Sequence, residues 1–228
     1  MTGFDLKVFA AVVMLIDHIG AYLLPDMMIL RIIGRFALPV FAWFIAEGCR
    51  HTRSMGKYAL RLAVSAVVAE FCVDFVSNGS FAMDWSSQSI MLTLLLGVLS
   101  IWAFQKLGDM AGGAIALLCC SFAQVFLCDY KWYGVALVLL FYYCKNIPLQ
   151  AICYAALSVL WQWDMVIGWV TDQRWHRFLD WPHQLWGLLA FLPLAMYNGQ
   201  KGKYSSKFFY IFYPVHLLLI GWLATRLA

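Results

Sequence analysis

The chain has 228 residues, of which 64% are hydrophobic and only 12% charged, with a mean hydropathy of +0.76. A soluble domain is about 25% charged, so this composition excludes a water-soluble globular enzyme. The formal net charge of +4 is scattered through connecting segments without a basic block, which excludes nucleic acid as a partner.

Runs of about 20 apolar residues recur along the whole chain, the mark of a polytopic α-helical membrane protein surrounded by lipid. The short, strictly alternating segments of a transmembrane β-barrel are absent. The first run extends from about Leu6 to Pro25 and contains "VMLIDHIGAYLLP", where Asp17 and His18 interrupt it. A carboxylate in lipid costs roughly 2.5–3.5 kcal/mol on insertion scales, so Asp17 needs a reason to be there. No small-residue cleavage site follows, and the run reads as a retained first span rather than a signal peptide.

In chain order the predicted spans lie near residues 5–24, 34–49, 57–76, 89–105, 111–127, 132–144, 148–164, 184–197 and 208–227. They form an all-α bundle of about nine transmembrane helices in a single domain, 1–228. The two runs between 132 and 164 are short and separated only by "CKNIP", a pattern that suits broken or re-entrant helices. The seven cysteines form no C-x-x-C pair and lie mostly inside apolar runs; they read as small buried hydrophobes, with no metal site or disulfide framework.

Lys and Arg in the connections set the orientation. "CRHTRSMGKYALR" carries Arg50, Arg53, Lys57 and Arg61, and "NGQKGKYSSK" carries Lys201, Lys203 and Lys207. With both facing the cytoplasm, the N-terminus is cytoplasmic and an odd span count puts the C-terminus outside. At 1.5 Å per residue, His18, Arg35 and Glu70 then each lie about 20 Å from the cytoplasmic edge of their spans. Asp17 and Asp74 fall within about a turn of that level. Five polar residues of three spans thus share one depth, where they can satisfy one another around a small aqueous cavity.

Adjacent helical residues project about 100° apart, so Asp17 does not orient His18 as in a hydrolase triad. Asp17 is expected to pair with Arg35 or Arg31, leaving His18 to face the cavity. His216, in "YIFYPVHLLL", lies mid-span and is a weaker candidate. Glu47 stands beside Arg50 and Arg53, where it can pair with them and shape a basic entrance suited to a phosphate-bearing ligand. The Trp-dense segment "WQWDMVIGWVTDQRWHRFLDWPHQLW" is expected to rest on the outer membrane surface, and His176 and His183 within it have no spacing that compels a metal.

The strings "MLIDHIGAYLLP", "RIIGRFALPVFAWFIAEGCRHTRSMGKYALRL" and "MYNGQKGKYSSKFFYIFYPVHLLL" resemble the TraX family, named for a conjugal-transfer protein that N-acetylates a pilin subunit. More distantly the chain is similar to the transmembrane acyltransferases. The family's first-span Asp-His pair falls on Asp17 and His18, and its R-x-x-G-R block on Arg31, Gly34 and Arg35. Two departures stand out: Cys49 follows the E-G pair where an aromatic is expected, and "SQSIMLTLLLG" lacks an Asn before T-L.

The resemblance implies a membrane acetyltransferase of the bacterial inner membrane, using cytoplasmic acetyl-CoA to modify an amine or hydroxyl acceptor from the outer side. On that reading His18 is the general base, with Asp17 beside it. Arg31, Arg35, Glu70, Asp74 and His216 contact substrate. Glu47, Arg50, Arg53, Lys57, Arg61, Lys201 and Lys203 form the entrance for the CoA phosphates. A rival reading makes the Asp17/His18/Arg35/Glu70 cluster the relay of a proton-coupled transporter or flippase. Against it, the two halves show no inverted repeat. A third option is a structural or assembly protein in which the charges are merely packed.

Overall fold

The computed structural model describes residues 1–172, 182–202 and 207–227, with 207 and 208 by backbone only. The described residues are mainly helical, and the sole β-type pairing among them is an isolated bridge between Gln88 and Cys128. It divides into two compact units, one of Met1–Phe41 with Lys145–Phe209 and one of Ala42–Cys144 with Tyr210–Ala228.

The first unit opens with α1, Gly3–Tyr22, started by a capping box: the Thr2 backbone N–H donates to Asp5 Oδ2, and the Asp5 N–H donates to Thr2 Oγ1. A turn over Pro25 leads to α2, Met28–Gly34, which packs back on α1. The approach is close at Gly20, where a Cβ would lie 2.7 Å from Leu30 Cβ. A break at Arg35 and Phe36 separates α2 from α3, Ala37–His51. Together α2 and α3 make an apolar stretch of 24 residues, Met28–His51, longer than the predicted 34–49.

Later in the same unit, α7, Ile147–Trp161, is capped by Asn146, whose Oδ1 accepts from the Leu149 N–H. At Gln162 the chain bends by 81° into α8, Trp163–Thr171, which buries none of its residues. The bent pair is a broken span or a re-entrant loop, and its break lies at Gln162 rather than at the "CKNIP" connection between the two short apolar runs. A 3₁₀ segment, His183–Ala190, continues into α9, Phe191–Ala195, and both pack on α7. The strand-free stretch after α9 returns to the start of α1, where Gln200 O accepts from the Gly3 N–H at 2.7 Å.

The second unit contains α4, Met55–Asn78; α5, Ile90–Val125; α6, Lys131–Tyr143; and α10, Lys207–Leu227 from Tyr210 onward. Ser54 caps α4, and Gly79 ends it with φ +67°, the left-handed conformation that glycine adopts without strain. In the α4–α5 loop Asp84 accepts from the Ser86 N–H, the Ser86 hydroxyl and Asn78, which holds its carboxyl below the ordinary value.

The 36 residues of α5 do not run straight. Gly108 has φ +76° and ψ −176°, and a Cβ on Gly112 would lie 2.6 Å from the Phe104 backbone. Leu96 and Cys119 pack in one cluster with Ala123, Cys128 and Val135, although a straight helix would hold them about 34 Å apart. α5 is therefore a helical hairpin, with limbs at 90–107 and 109–125 that match the predicted spans 89–105 and 111–127.

By length and apolar composition, three helical stretches among the described residues are candidates to cross a membrane, Met28–His51, Ile90–Val125 with its two limbs, and Phe209–Leu227, or four if α7 and α8 form one broken span. That is fewer than the nine expected. α1 and α4 have the length, at 20 and 24 residues, but α1 carries Asp5, Lys7 and Asp17, and α4 carries Lys57, Arg61, Glu70 and Asp74. α6 has 13 residues, about 20 Å of helix, and is short for a full crossing.

Candidate functional site

In the first unit, α1 and α2 bring Asp17 against both arginines of the R-x-x-G-R block. Arg31 Nη1 lies 2.8 Å from Asp17 Oδ2, and Arg35 Nη2 lies 3.1 Å from Asp17 Oδ1. Arg31 Nη1 also donates to the Asp17 backbone carbonyl at 3.0 Å, and Arg35 Nε donates to the Arg31 carbonyl at 3.0 Å. The side chains of Asp17 and Arg35 are each 13% exposed, and that of Arg31 is 34% exposed. Charge-assisted bonds of this kind, largely out of water, are strong and geometrically exacting.

Gly34 completes the arrangement. A Cβ there would overlap Oδ1, Cβ and Cγ of Asp17, so only glycine lets the carboxylate reach between the two guanidiniums. Arg31, Gly34 and Arg35 thus form one device that clamps a carboxylate. His18 is the next residue along α1, partly buried, with its ring 6.1 Å from that of Tyr22.

Glu70, Asp74 and His216 belong to the second unit. Glu70 Oε2 accepts from the Ser89 N–H at 3.0 Å, whereas Glu70 Oε1, Asp74 Oδ2 and Ser89 Oγ are buried without a hydrogen-bond partner among the described residues. His216 is held within α10: Nδ1 lies 2.7 Å from the Phe212 carbonyl, and the ring stacks on Phe212 with centroids 4.9 Å apart.

Of the basic residues, Arg50 is committed to the protein. It donates to Glu47 and to the carbonyls of Phe141 and Tyr142 at the C-terminus of α6, and its guanidinium lies over the Tyr142 ring. Glu47 also pairs with His51 at 3.2 Å. Arg53, Lys57 and Arg61 are exposed, with the Arg61 guanidinium 5.4 Å from the Tyr58 ring. Lys201 is exposed in the first unit, and Lys203 and His176 lie outside the described residues.

A set of residues not singled out from the sequence is built around α7. The buried residues of that helix are Gln150, Tyr154 and Ser158, four apart on one face. The Tyr154 hydroxyl donates to the Gln184 carbonyl at 2.8 Å, and the Gln184 N–H donates to Gln162 Oε1 at 2.7 Å. Gly187 sits where Tyr154, the 3₁₀ segment and the Arg35 carbonyl converge; a Cβ there would overlap the Tyr154 hydroxyl. The polar period of four in "QAICYAALS" was the available signal.

The sequence profile described as TraX protein matches residues 3–224. A probable fimbrial assembly protein (FimC, serogroup H1) of Dichelobacter nodosus is 29% identical over 235 residues, covering 96% of this chain and 94% of its own. An uncharacterised protein of Rickettsia prowazekii (strain Madrid E) is 59% identical over 101 residues, covering 44% of this chain and 37% of its own. No solved structure matches. With the Asp17 clamp built by α1 and α2 inside a match of this extent, the chain belongs to the TraX family.

Proposed function

We propose that the protein is an integral acetyltransferase of the bacterial inner membrane, moving an acetyl group from cytoplasmic acetyl-CoA to an amine or hydroxyl acceptor on the outer side. The observation that carries this reading is the clamp of Asp17 by Arg31 and Arg35 immediately before His18, in a chain of the TraX family. The fimbrial assembly relative favours a pilus-subunit amine as the acceptor.

In this reading Asp17 is a positioning residue. It locks α1 to α2 and so fixes His18, the general base. The acceptor nitrogen attacks the thioester carbonyl carbon as His18 takes its proton. Two guanidiniums against one carboxylate leave one net positive charge beside the reaction, which favours the developing oxyanion. The C–S bond then breaks, and the CoA sulfur leaves with the proton returned by His18. The exposed Arg53, Lys57 and Arg61 supply attraction for the CoA phosphates, with Lys201 and Lys203 as further candidates.

One observation favours the second reading, a proton-coupled transporter or flippase: Glu70 Oε1 and Asp74 Oδ2 are buried with no partner among the described residues. A single experiment separates the two. Purified protein is supplied with acetyl-CoA and a panel of peptide amines, amino sugars and hydroxyl compounds, and free CoA thiol is measured. Acceptor-stimulated release that disappears in His18→Ala supports the acetyltransferase. Absence of both release and saturable acetyl-CoA binding removes it, and uptake driven by a pH gradient in proteoliposomes then supports transport.

A further inference from the structure

The first unit has two described histidines, and the reading above uses only His18. The other, His183, begins the 3₁₀ segment, lies outside the candidate membrane spans and is only partly buried. Its place is fixed by the residue that follows it. The Gln184 N–H donates to Gln162 Oε1 at 2.7 Å, and the Gln184 carbonyl accepts from the Tyr154 hydroxyl at 2.8 Å. The same segment packs on α2, the helix of Arg31 that ends at Arg35. Gly187, four residues on, comes so near that a Cβ would lie 3.0 Å from the Arg35 carbonyl oxygen.

His183 is thereby held within electrostatic reach of both guanidiniums of the clamp. Burial first, and then the charges of Arg35 and Arg31, push its imidazole below the ordinary value, so the ring is neutral near pH 7. Its Nδ1 is buried with no hydrogen-bond partner among the described residues. A buried N–H without an acceptor is rarer than an acceptor without a donor, which puts the ring proton on Nε2. Nε2–H is then the donor that this half-buried ring has to offer. Next to two guanidiniums such a donor suits developing negative charge, because it adds a directed hydrogen bond without a further cation.

We propose that His183 is a further residue of the acyl-transfer site, donating its Nε2–H to the carbonyl oxygen of the acyl group beside the Asp17–Arg31–Arg35 clamp. This rests on the acetyltransferase reading and deepens it. His18 takes the proton of the attacking acceptor, whereas His183 keeps its own. Its hydrogen bond strengthens as the carbonyl oxygen becomes an oxyanion and relaxes when the C–S bond breaks.

The test uses the full-length protein in detergent and two probes that differ at the acyl group: acetyl-CoA, which has the carbonyl, and CoA, which lacks it. Equilibrium binding of each is measured for wild type, His183→Ala and His183→Gln, with melting temperatures recorded. Free CoA thiol is followed in parallel with the acceptor panel described above. Gln can donate a hydrogen bond from a similar position but cannot take up a proton. The expected result is acetyl-CoA binding weakened about threefold to tenfold in His183→Ala, the worth of one hydrogen bond, with CoA binding unchanged. CoA release falls about 10²–10³-fold, as for a lost oxyanion donor, and His183→Gln retains part of both. Melting temperatures stay near that of wild type, because Nδ1 has no partner within the described protein to lose.

Wild-type affinities and wild-type turnover in His183→Ala overturn the proposal and leave the acetyltransferase standing. Equal weakening of both probes with a lowered melting temperature makes His183 a structural residue, which overturns it as well. Equal losses in His183→Ala and His183→Gln refute the donor role. Wild-type protein that binds neither probe removes the acetyltransferase, and this role of His183 with it.

Discussion

Asp17 bridges Arg31 and Arg35 with one carboxylate oxygen to each, at 2.8 and 3.1 Å. This pairing closes α1 onto α2, and replacing Asp17 with Asn leaves two guanidiniums without a counter-charge. Removing one partner of a buried ion pair costs about 3–5 kcal/mol, and the partial exposure of Arg31 places this case at the lower end. Asp17→Asn is therefore expected to lower thermal stability markedly, and an added Arg31→Gln to recover part of it. A double-mutant cycle reads the coupling, and purely additive effects would refute the clamp.

Gly34→Ala should break the same device from the other side. The added methyl would overlap Asp17 itself, so the carboxylate must leave its place between the guanidiniums. The loss is expected to match that of Asp17→Asn to within about 1 kcal/mol, and the double variant to be little worse than either single one. If the two losses sum instead, Gly34 acts on something other than Asp17.

His18 carries a different expectation. Its imidazole is partly buried beside the Tyr22 ring, and the Asp17 ion pairs run to Arg31 and Arg35. His18→Gln should therefore retain the wild-type melting temperature while acetyl transfer falls by about 10²–10⁴, the usual contribution of a general base. A variant with full turnover would move the proton-accepting role to another group.

Much of this arrangement is readable in the sequence, but not all of it. The 100° offset between neighbouring helical residues separates Asp17 from His18 and directs Asp17 to the arginines, and both pairings are present. Shared depth also grouped Glu70 and Asp74 with Asp17; the structure places them in the second unit, on α4. The count of nine spans is not confirmed. Hydropathy counts apolar runs and is blind to bends, so the 81° turn at Gln162 and the reversal at Gly108 each change what a run can cross. The α7 stripe was legible as a period of four, but composition alone reads Gln150 and Ser158 as tolerated polar residues in an apolar run.

The reversal of α5 at Gly108 makes a topological prediction. If the limbs 90–107 and 109–125 each cross the bilayer, their shared tip lies on one side, and Lys106 places that side in the cytoplasm. Met110, 92% exposed beside the tip, is the residue to replace. Met110→Cys should react with a membrane-impermeant maleimide in inside-out vesicles and not in intact spheroplasts, measured against the wild-type background of seven cysteines. Labelling from the outside would invert the assigned orientation.

The basic residues after α3 divide into two expected behaviours, because only some are free to meet a ligand. Arg50 donates to Glu47 and to the Phe141 and Tyr142 carbonyls, two of the acceptors that the end of α6 leaves without an intrahelical partner. Arg50→Ala should therefore lower stability by about 1.5–3 kcal/mol, the range for hydrogen bonds to a charged group, with little change in donor affinity once the protein is folded. Arg53, Lys57 and Arg61 are exposed, so their replacement by Ala should leave stability within about 0.5 kcal/mol of wild type. Acetyl-CoA binding should weaken in those variants, and the difference from wild type should shrink as salt is raised, since exposed charges are screened. Binding that is unaffected by all three, or equally affected at high and low salt, would leave these cations as orientation signals only.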